Sequence, residues 1–363
     1  MFSLAAIAVL GLLIVVHELG HFAAARLQGI RVSRFSIGFG PVLARYQGPQ
    51  TEYAIRALLL GGYVGFPDDD PDSDIEPDDP DLLRNRPVLD RAIVISAGVI
   101  ANLVFAYLLI VGQGALIGFQ EFQPAPGVLI PQVMQTETSA AYQAGIQAGD
   151  VVLKIEGIPL DDSDAAIKTL QTEIQNSPSQ ELTLEIQRGP ELLTVPLTPA
   201  DDGNGVGKVG VHLTRNGAIS RVRPKNIGMA FSRGAENFQR ICFLTVQGFG
   251  QLITNFQENV QQVAGPIGIV AAGAELASND LANLFQFAAL ISINLAVINI
   301  LPLPALDGGQ LAFLVFEGLM GKPVPVRIQE GIMQTGLVLL LGLGVVLIVR
   351  DTVNLPGIQQ LLM

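Results

Sequence analysis

The chain has 363 residues, 49% of them hydrophobic and only 15% charged; soluble domains carry about 25% charged residues, so the composition is that of an integral membrane protein. Its net charge of -12 argues against nucleic acid as a partner. A single cysteine, Cys242, excludes an intrachain disulfide and a cysteine-based zinc cluster.

The first predicted element is an apolar helix over residues 2–27, interrupted only by His17, Glu18, His21 and Arg26. It lacks a basic leader and a small-residue cleavage site, so it is expected to be a retained span rather than a signal peptide. Residues 92–118, 281–306 and 331–349 also reach the ~20 apolar residues that cross a bilayer. Basic residues orient these four spans. Arg26, Arg31, Arg34, Arg45, Arg56, Arg84, Arg86 and Arg91 lie at or beyond the end of span one and before span two, and Lys322 and Arg327 precede span four. Residues 119–153 and 241–282 have no Lys or Arg. The positive-inside rule then puts 28–90 and 308–329 in the cytoplasm, with both termini and 119–280 outside, Arg350 being an exception. Nine of the fourteen residues from 68 to 81 are acidic; they read as a solvated cytoplasmic loop whose spacing does not fit an EF-hand.

Residues 123–215 have the composition of a soluble domain, with strands expected at 128–133, 151–155, 182–187 and 192–197 and a helix at 164–175. From Ser139 through Ala144-Gly145 and Gly149-Asp150-Val151 to Gly157 the sequence resembles the core of a bacterial PDZ domain. That likeness implies capture of an extended peptide end at a sheet edge, with a carboxylate-binding loop at Gly127, Val128 and Leu129. Residues 227–256 mix Phe231, Phe238, Phe243 and Phe249 with Arg233, Glu236 and Arg240, and are expected as an amphipathic helix on the outer membrane surface. The helices of 263–350 complete the membrane part.

His17 and His21 share one helix face, and Glu18 stands beside the first. Two imidazoles with a glutamate at this spacing are the zinc-and-base unit of a metalloprotease. A catalytic site needs a third protein ligand. Asp307 is the candidate, as the sole charge between Asp280 and Glu317, and a membrane-depth carboxylate needs a partner. Spans one and three both run from outside to inside, so His17, His21 and Asp307 are expected at similar depth. Pro302 and Pro304 remove backbone donors, and Gly308-Gly309 is expected to free the turn beside them.

Together with these residues, Gly38-Phe39-Gly40-Pro41, Leu60-Gly61-Gly62-Tyr63-Val64, Ser96-Ala97-Gly98 with Asn102, and Ala264-Gly265-Pro266-Ile267-Gly268-Ile269 resemble the site-2 protease family of intramembrane zinc metalloproteases, in its regulator-of-sigma-E-protease branch. Val99 stands where that family commonly has proline. The resemblance implies a polytopic α-helical membrane protein: four transmembrane helices, an inserted β-rich PDZ domain and a membrane-associated β-hairpin region. It implies one catalytic Zn²⁺ on His17, His21 and Asp307, Glu18 as general base, and Asn294 or Asn299 steadying the substrate. Strands from 35–66 would pair with the unwound substrate, and the PDZ-like domain would favour substrates whose outer region has been removed. The implied partners are single-span membrane proteins such as anti-sigma factors, or signal-peptide remnants, in the bacterial cytoplasmic membrane. The alternatives are a catalytically inactive membrane-anchored PDZ adaptor and a zinc transporter. Intact Glu18 weighs against the first, and ligands clustered at one depth weigh against the second. A structural zinc site would require a fourth protein ligand. Asn102, Asn294 and Asn299 also fit a plain role as interhelical hydrogen-bond links.

Overall fold

The computed structural model describes residues 2–70, 75–134, 139–255 and 263–353. Two units are formed, Gly118–Val222 and the remainder of the chain. In the larger unit, four of the described helices are long and apolar enough to cross a membrane. They are α1 (Phe2–Leu27), α2 (Val88–Leu116), α7 (Leu281–Ile300) and α9 (Val326–Val353). Helices α5 (Ile227–Thr254), α6 (Pro266–Asn279) and α8 (Asp307–Met320) pack among them.

Between apolar helices there is little hydrophobic gain, so close packing of small residues sets who touches whom. A Cβ on Gly20 of α1 would stand 2.5 Å from the Ala97 carbonyl and 2.7 Å from Ala101 Cβ on α2, so these backbones meet directly. Helix α7 starts where the Asp280 carboxylate accepts from Ala282 N at 2.9 Å. It ends at Ile300, short of the expected 306, because Pro302 and Pro304 cannot continue it. The chain turns through 301–306 and enters α8 at Asp307. Gly308 and Gly309 are already helical and have no positive φ; that conformation falls on Ala305 (φ 68°). The two glycines serve close approach instead: a Cβ on Gly308 would overlap the Ile300 and Leu301 carbonyls, and one on Gly309 would overlap that of Leu303. Behind the turn, Gly336 of α9 leaves room for Pro304.

After α1, strands β1 (Arg34–Gln47) and β2 (Glu52–Gly65) fold on themselves. Arg34–Ile37 run alongside Glu52–Ile55 in the same direction and against Gly65–Gly62 in the opposite one, while Val42–Gln47 run against Arg56–Glu52. Residues 62–65 therefore form an outer strand, one edge of which is unpaired among the described residues. Three described carboxylates of the acidic run are paired with arginines. Arg34 pairs with Asp70 at 3.0 Å, Arg31 with Asp79 at 3.2 Å and Arg86 with Asp81 at 2.9 Å.

Helix α5 covers the residues expected as a surface helix, up to Thr254, but it lies against the helix bundle. The Tyr107 hydroxyl of α2 donates to the Phe231 carbonyl at 3.1 Å, and Gly234 leaves room for Val111. Its buried face is made of small residues, Ala230 and Gly234, while Phe243, Leu244, Val246 and Ile253 stay exposed.

The smaller unit is an antiparallel sheet in the order β10-β3-β4-β6-β7. Its strands are β3 (Phe119–Val133), β4 (Val151–Ile155), β6 (Leu182–Arg188), β7 (Glu191–Leu197) and β10 (Val211–Val222). The short β5 (Ile158–Pro159) pairs with β4, and β8 (Ala200–Asp201) pairs with β9 (Gly207–Lys208). One face carries the short α3 (Ala140–Gln143) and α4 (Asp164–Asn176). Leu182, Leu184 and Ile186 alternate into the core, where they meet Val128, Val152 and Leu170. Asp150 is buried and bidentate to Arg188, at 2.8 and 2.7 Å. The expected strands and helix all form; β10 and the first half of β3 were not foreseen.

Candidate active site

Helix α1 presents His17 and His21 one turn apart, and α8 delivers Asp307 in its first turn. His17 Nε2 lies 3.2 Å from His21 Nε2 and 3.2 Å from Asp307 Oδ2; His21 Nε2 lies 3.4 Å from the same oxygen. Among the described residues these three form the cluster of metal-ligating side chains. Zinc bonds of ~2.0–2.2 Å in a tetrahedron set ligand atoms ~3.3–3.6 Å apart. The three donors already have that spacing. Asp307 Oδ2 is buried and has no hydrogen-bond partner among the described residues, an oxygen that a cation would satisfy. The donor set, two imidazoles and a carboxylate, suits Zn²⁺ and leaves one position open.

Other elements fix these groups. His21 Nδ1 is 2.8 Å from the Val94 carbonyl of α2. A carbonyl only accepts, so Nδ1 carries the proton and Nε2 of the neutral ring keeps its lone pair for a metal. Gly98 of α2 lies flat beneath both rings: a Cβ there would overlap His21 Nε2 and come within 2.7 Å of His17 Cε1. Arg91 of α2 pairs with Glu317 of α8, tying the helix that carries Asp307 to the helix under the histidines. Buried Glu18 is held from the other side, where Gly62 of β2 would place a Cβ 2.7 Å from Glu18 Cγ.

A cavity of about 580 Å³ opens over this corner. Glu18 and the three donors line it, with Gly61 to Val64 of the outer strand along one wall and Asn299 on another. Asn299 Nδ2 is 3.3 Å from His17 Nε2. Asn294 instead lines a separate apolar groove of about 390 Å³ with Ile241, Leu244 and Phe249 of α5. The structure thus brings Asn299, not Asn294, to the metal-ligating groups, since five residues along α7 turn the side chain toward a different neighbour.

Gly127, Val128 and Leu129 lie on β3 in the smaller unit, and there the structure departs from the expected peptide-binding loop. Val128 is fully buried. Val128 and Leu129 pair with Arg215 and Thr214 of β10 on one side and with Val152 and Val151 of β4 on the other. A strand bonded on both sides has no edge to offer a peptide; among the described residues the edge strands of this sheet are β10 and β7. Sequence reasoning also missed what Val94, Gly98 and Gly62 do. Their common signal is a small or backbone partner opposite a chemical residue, which no single helix pattern displays.

A hydrolytic metal site built between apolar helices defines the class: a membrane-embedded metallopeptidase. The family model described as Peptidase family M50 matches residues 5–343. A Nostoc sp. (strain PCC 7120) protein named for a zinc metalloprotease is 60% identical over 352 residues, 97% of this chain and 96% of its own. The membrane metalloprotease ARASP of Arabidopsis thaliana chloroplasts is 47% identical, over 99% of this chain and 80% of its own. Protease RseP of Yersinia pestis is 31% identical, over 94% and 97%. The chain belongs to peptidase family M50, the site-2 protease family, and is a zinc metalloprotease.

Proposed function

We propose that the chain hydrolyses peptide bonds within or next to transmembrane segments of other membrane proteins, single-span regulators such as anti-sigma factors or signal-peptide remnants, after a first cut by another protease. The observation that carries this reading is the spacing of His17, His21 and Asp307, donated by two separate apolar helices into one cavity. His17, His21 and Asp307 would hold zinc, which would supply a Lewis acid for the scissile carbonyl and a bound water of pKa ~7. Glu18 takes the water proton on its carboxylate and returns it to the leaving amine nitrogen. Asn299 donates its amide to the substrate backbone or the developing oxyanion. The free edge at 62–65 pairs with the unwound substrate, which holds the bond extended beside Glu18.

We read Gly118–Val222 as a PDZ-type domain that screens substrates, with the open edge of β10, flanked by α4, as its peptide-binding strand. The arginines grouped near the inner ends of α1 and α2 favour an active site on the cytoplasmic side of the bacterial inner membrane and a substrate-screening domain outside. Co-expression of a membrane-tethered substrate with wild type and with Glu18→Gln tests the mechanism. Cleavage should vanish in the variant while zinc content stays at one ion per chain; cleavage that persists would refute the role of Glu18.

A further inference from the structure

The two histidines are held differently. His21 leans on a backbone carbonyl, which no substitution can remove. His17 Nδ1 has a side chain for its neighbour: Asn102 Nδ2 of α2, at 3.3 Å. Asn102 is completely shielded from solvent, one turn beyond Gly98 on the same face of α2. Its own backbone carbonyl accepts from the buried Ser292 hydroxyl of α7 at 2.8 Å, so the residue's position is fixed independently of its amide. The amide oxygen has no hydrogen-bond partner among the described residues.

We infer that Asn102 is the positioning residue of the zinc site, its amide oxygen accepting the Nδ1 proton of His17. The reasoning rests on the metalloprotease reading of the site. His17 Nε2 faces His21, Asp307 and Asn299, so this is the nitrogen that must keep a lone pair for the metal. The proton of the neutral ring then belongs on Nδ1, and a donor in that position needs an acceptor. An amide is nearly symmetric in shape, and half a turn about its Cβ–Cγ bond exchanges oxygen for nitrogen. That rotation brings the orphaned oxygen onto His17 Nδ1. With the opposite orientation the amide NH₂ donates to Nδ1 and leaves the proton on Nε2, where it opposes a metal. Asn102 thereby does for His17 what the Val94 carbonyl does for His21, and outer partners of this kind change metal affinity by about 10–100-fold.

The experiment uses the full chain in detergent, with zinc affinity measured by chelator competition and Co²⁺ as a spectroscopic probe of the same site. Asn102→Asp keeps an acceptor of the same shape and should retain wild-type affinity within about threefold, with an unchanged Co²⁺ visible spectrum. Asn102→Leu and the smaller Asn102→Ala lose the acceptor; each should bind zinc about 10–100-fold more weakly and alter the spectrum. A purely interhelical role predicts the reverse pattern: Asp as damaging as Leu, and unchanged affinity in whatever fraction of Ala folds. Equal zinc affinity in wild type and Ala would overturn the inference. Absence of stoichiometric zinc in wild type would instead strike the metalloprotease reading itself, so the two failures are distinguishable.

Discussion

The helical unit and the β-rich unit of this chain are specified by opposite kinds of residue. In Gly118–Val222 the informative positions are large apolar ones, alternating Leu182, Leu184 and Ile186 into a core that water drives together. In the helical unit most helix positions are hydrophobic, and the informative residues are the missing side chains: Gly20 at the α1–α2 contact, Gly98 under the histidines, Gly62 of β2 against Glu18, Gly308 at the turn. One unit is defined by what fills it, the other by what is left out. Adding atoms should therefore damage the helical site most, and removing them should damage the β-rich unit most.

The sharpest way to break that contrast is Gly98→Ala. Its new Cβ meets both imidazoles, and movement of α2 away from α1 is opposed by the Ser292 hydroxyl on the Asn102 carbonyl and by α5 packed on Val111. Displacing a reacting group by 1 Å costs on the order of 10²-fold in rate, and here both ligands move together. Proteolysis should fall at least about 10³-fold and zinc stoichiometry well below one, measured on the purified chain. Wild-type turnover from this variant would show that the histidines are not seated against α2.

The converse is Leu170→Ala, which deletes a fully buried side chain from α4. The expected cost is about 2–5 kcal/mol, confined to Gly118–Val222 and read by amide hydrogen exchange in the intact chain. Zinc stoichiometry should stay at one. A smaller and more selective effect is expected from Gly62→Ala, whose Cβ presses on Glu18 Cγ and on the Ser36 carbonyl without touching a zinc donor. Turnover should drop about 10–100-fold with metal content unchanged. Loss of metal from this variant would show that Glu18 and the donors do not move separately.

The same contrast explains what could be read in advance. The clustering of His17, His21 and Asp307 beside Glu18 was legible because charge and imidazole are rare in this sequence, so each carries information by its presence. The strands of 151–155 and 182–197 were legible because period-2 alternation survives wherever one face is wet. The end of α7 at Ile300, the packing of α5 on Tyr107 and the tilt of Asn294 away from the site were not legible. In an apolar segment, hydrophobicity is silent about which face meets which neighbour. Gly308-Gly309 reads in the sequence as a turn hinge, but its use is backbone approach, and the unusual φ sits on Ala305. The inner position of β3 was hidden because its partner β10 lies more than 75 residues away and alternates weakly around His212, Arg215 and Gly217.

The smallest predicted effect tests whether the β-rich unit depends on charge at all. Burial alone would raise the Asp150 carboxyl, but the Arg188 guanidinium and the Gln147 amide, which donates at 2.8 Å, outweigh it and hold Asp150 below the usual carboxylate range. A folded-state value below the unfolded one contributes stability above the unfolded pKa and loses it as pH falls through the folded value. With an unfolded carboxylate near 3.9, the loss begins at about pH 4 and continues below it. Asp150→Asn keeps the shape and removes the charge. Arg188 is partly exposed, so water screens the pair and the expected cost at pH 7 is only about 1–2 kcal/mol. Hydrogen-exchange stability of Gly118–Val222 should then differ between wild type and variant at pH 7 and converge as pH falls below about 4. A difference that stays constant with pH would mean the variant loses shape or hydrogen-bond geometry rather than charge, and the unit would be held by its apolar filling alone.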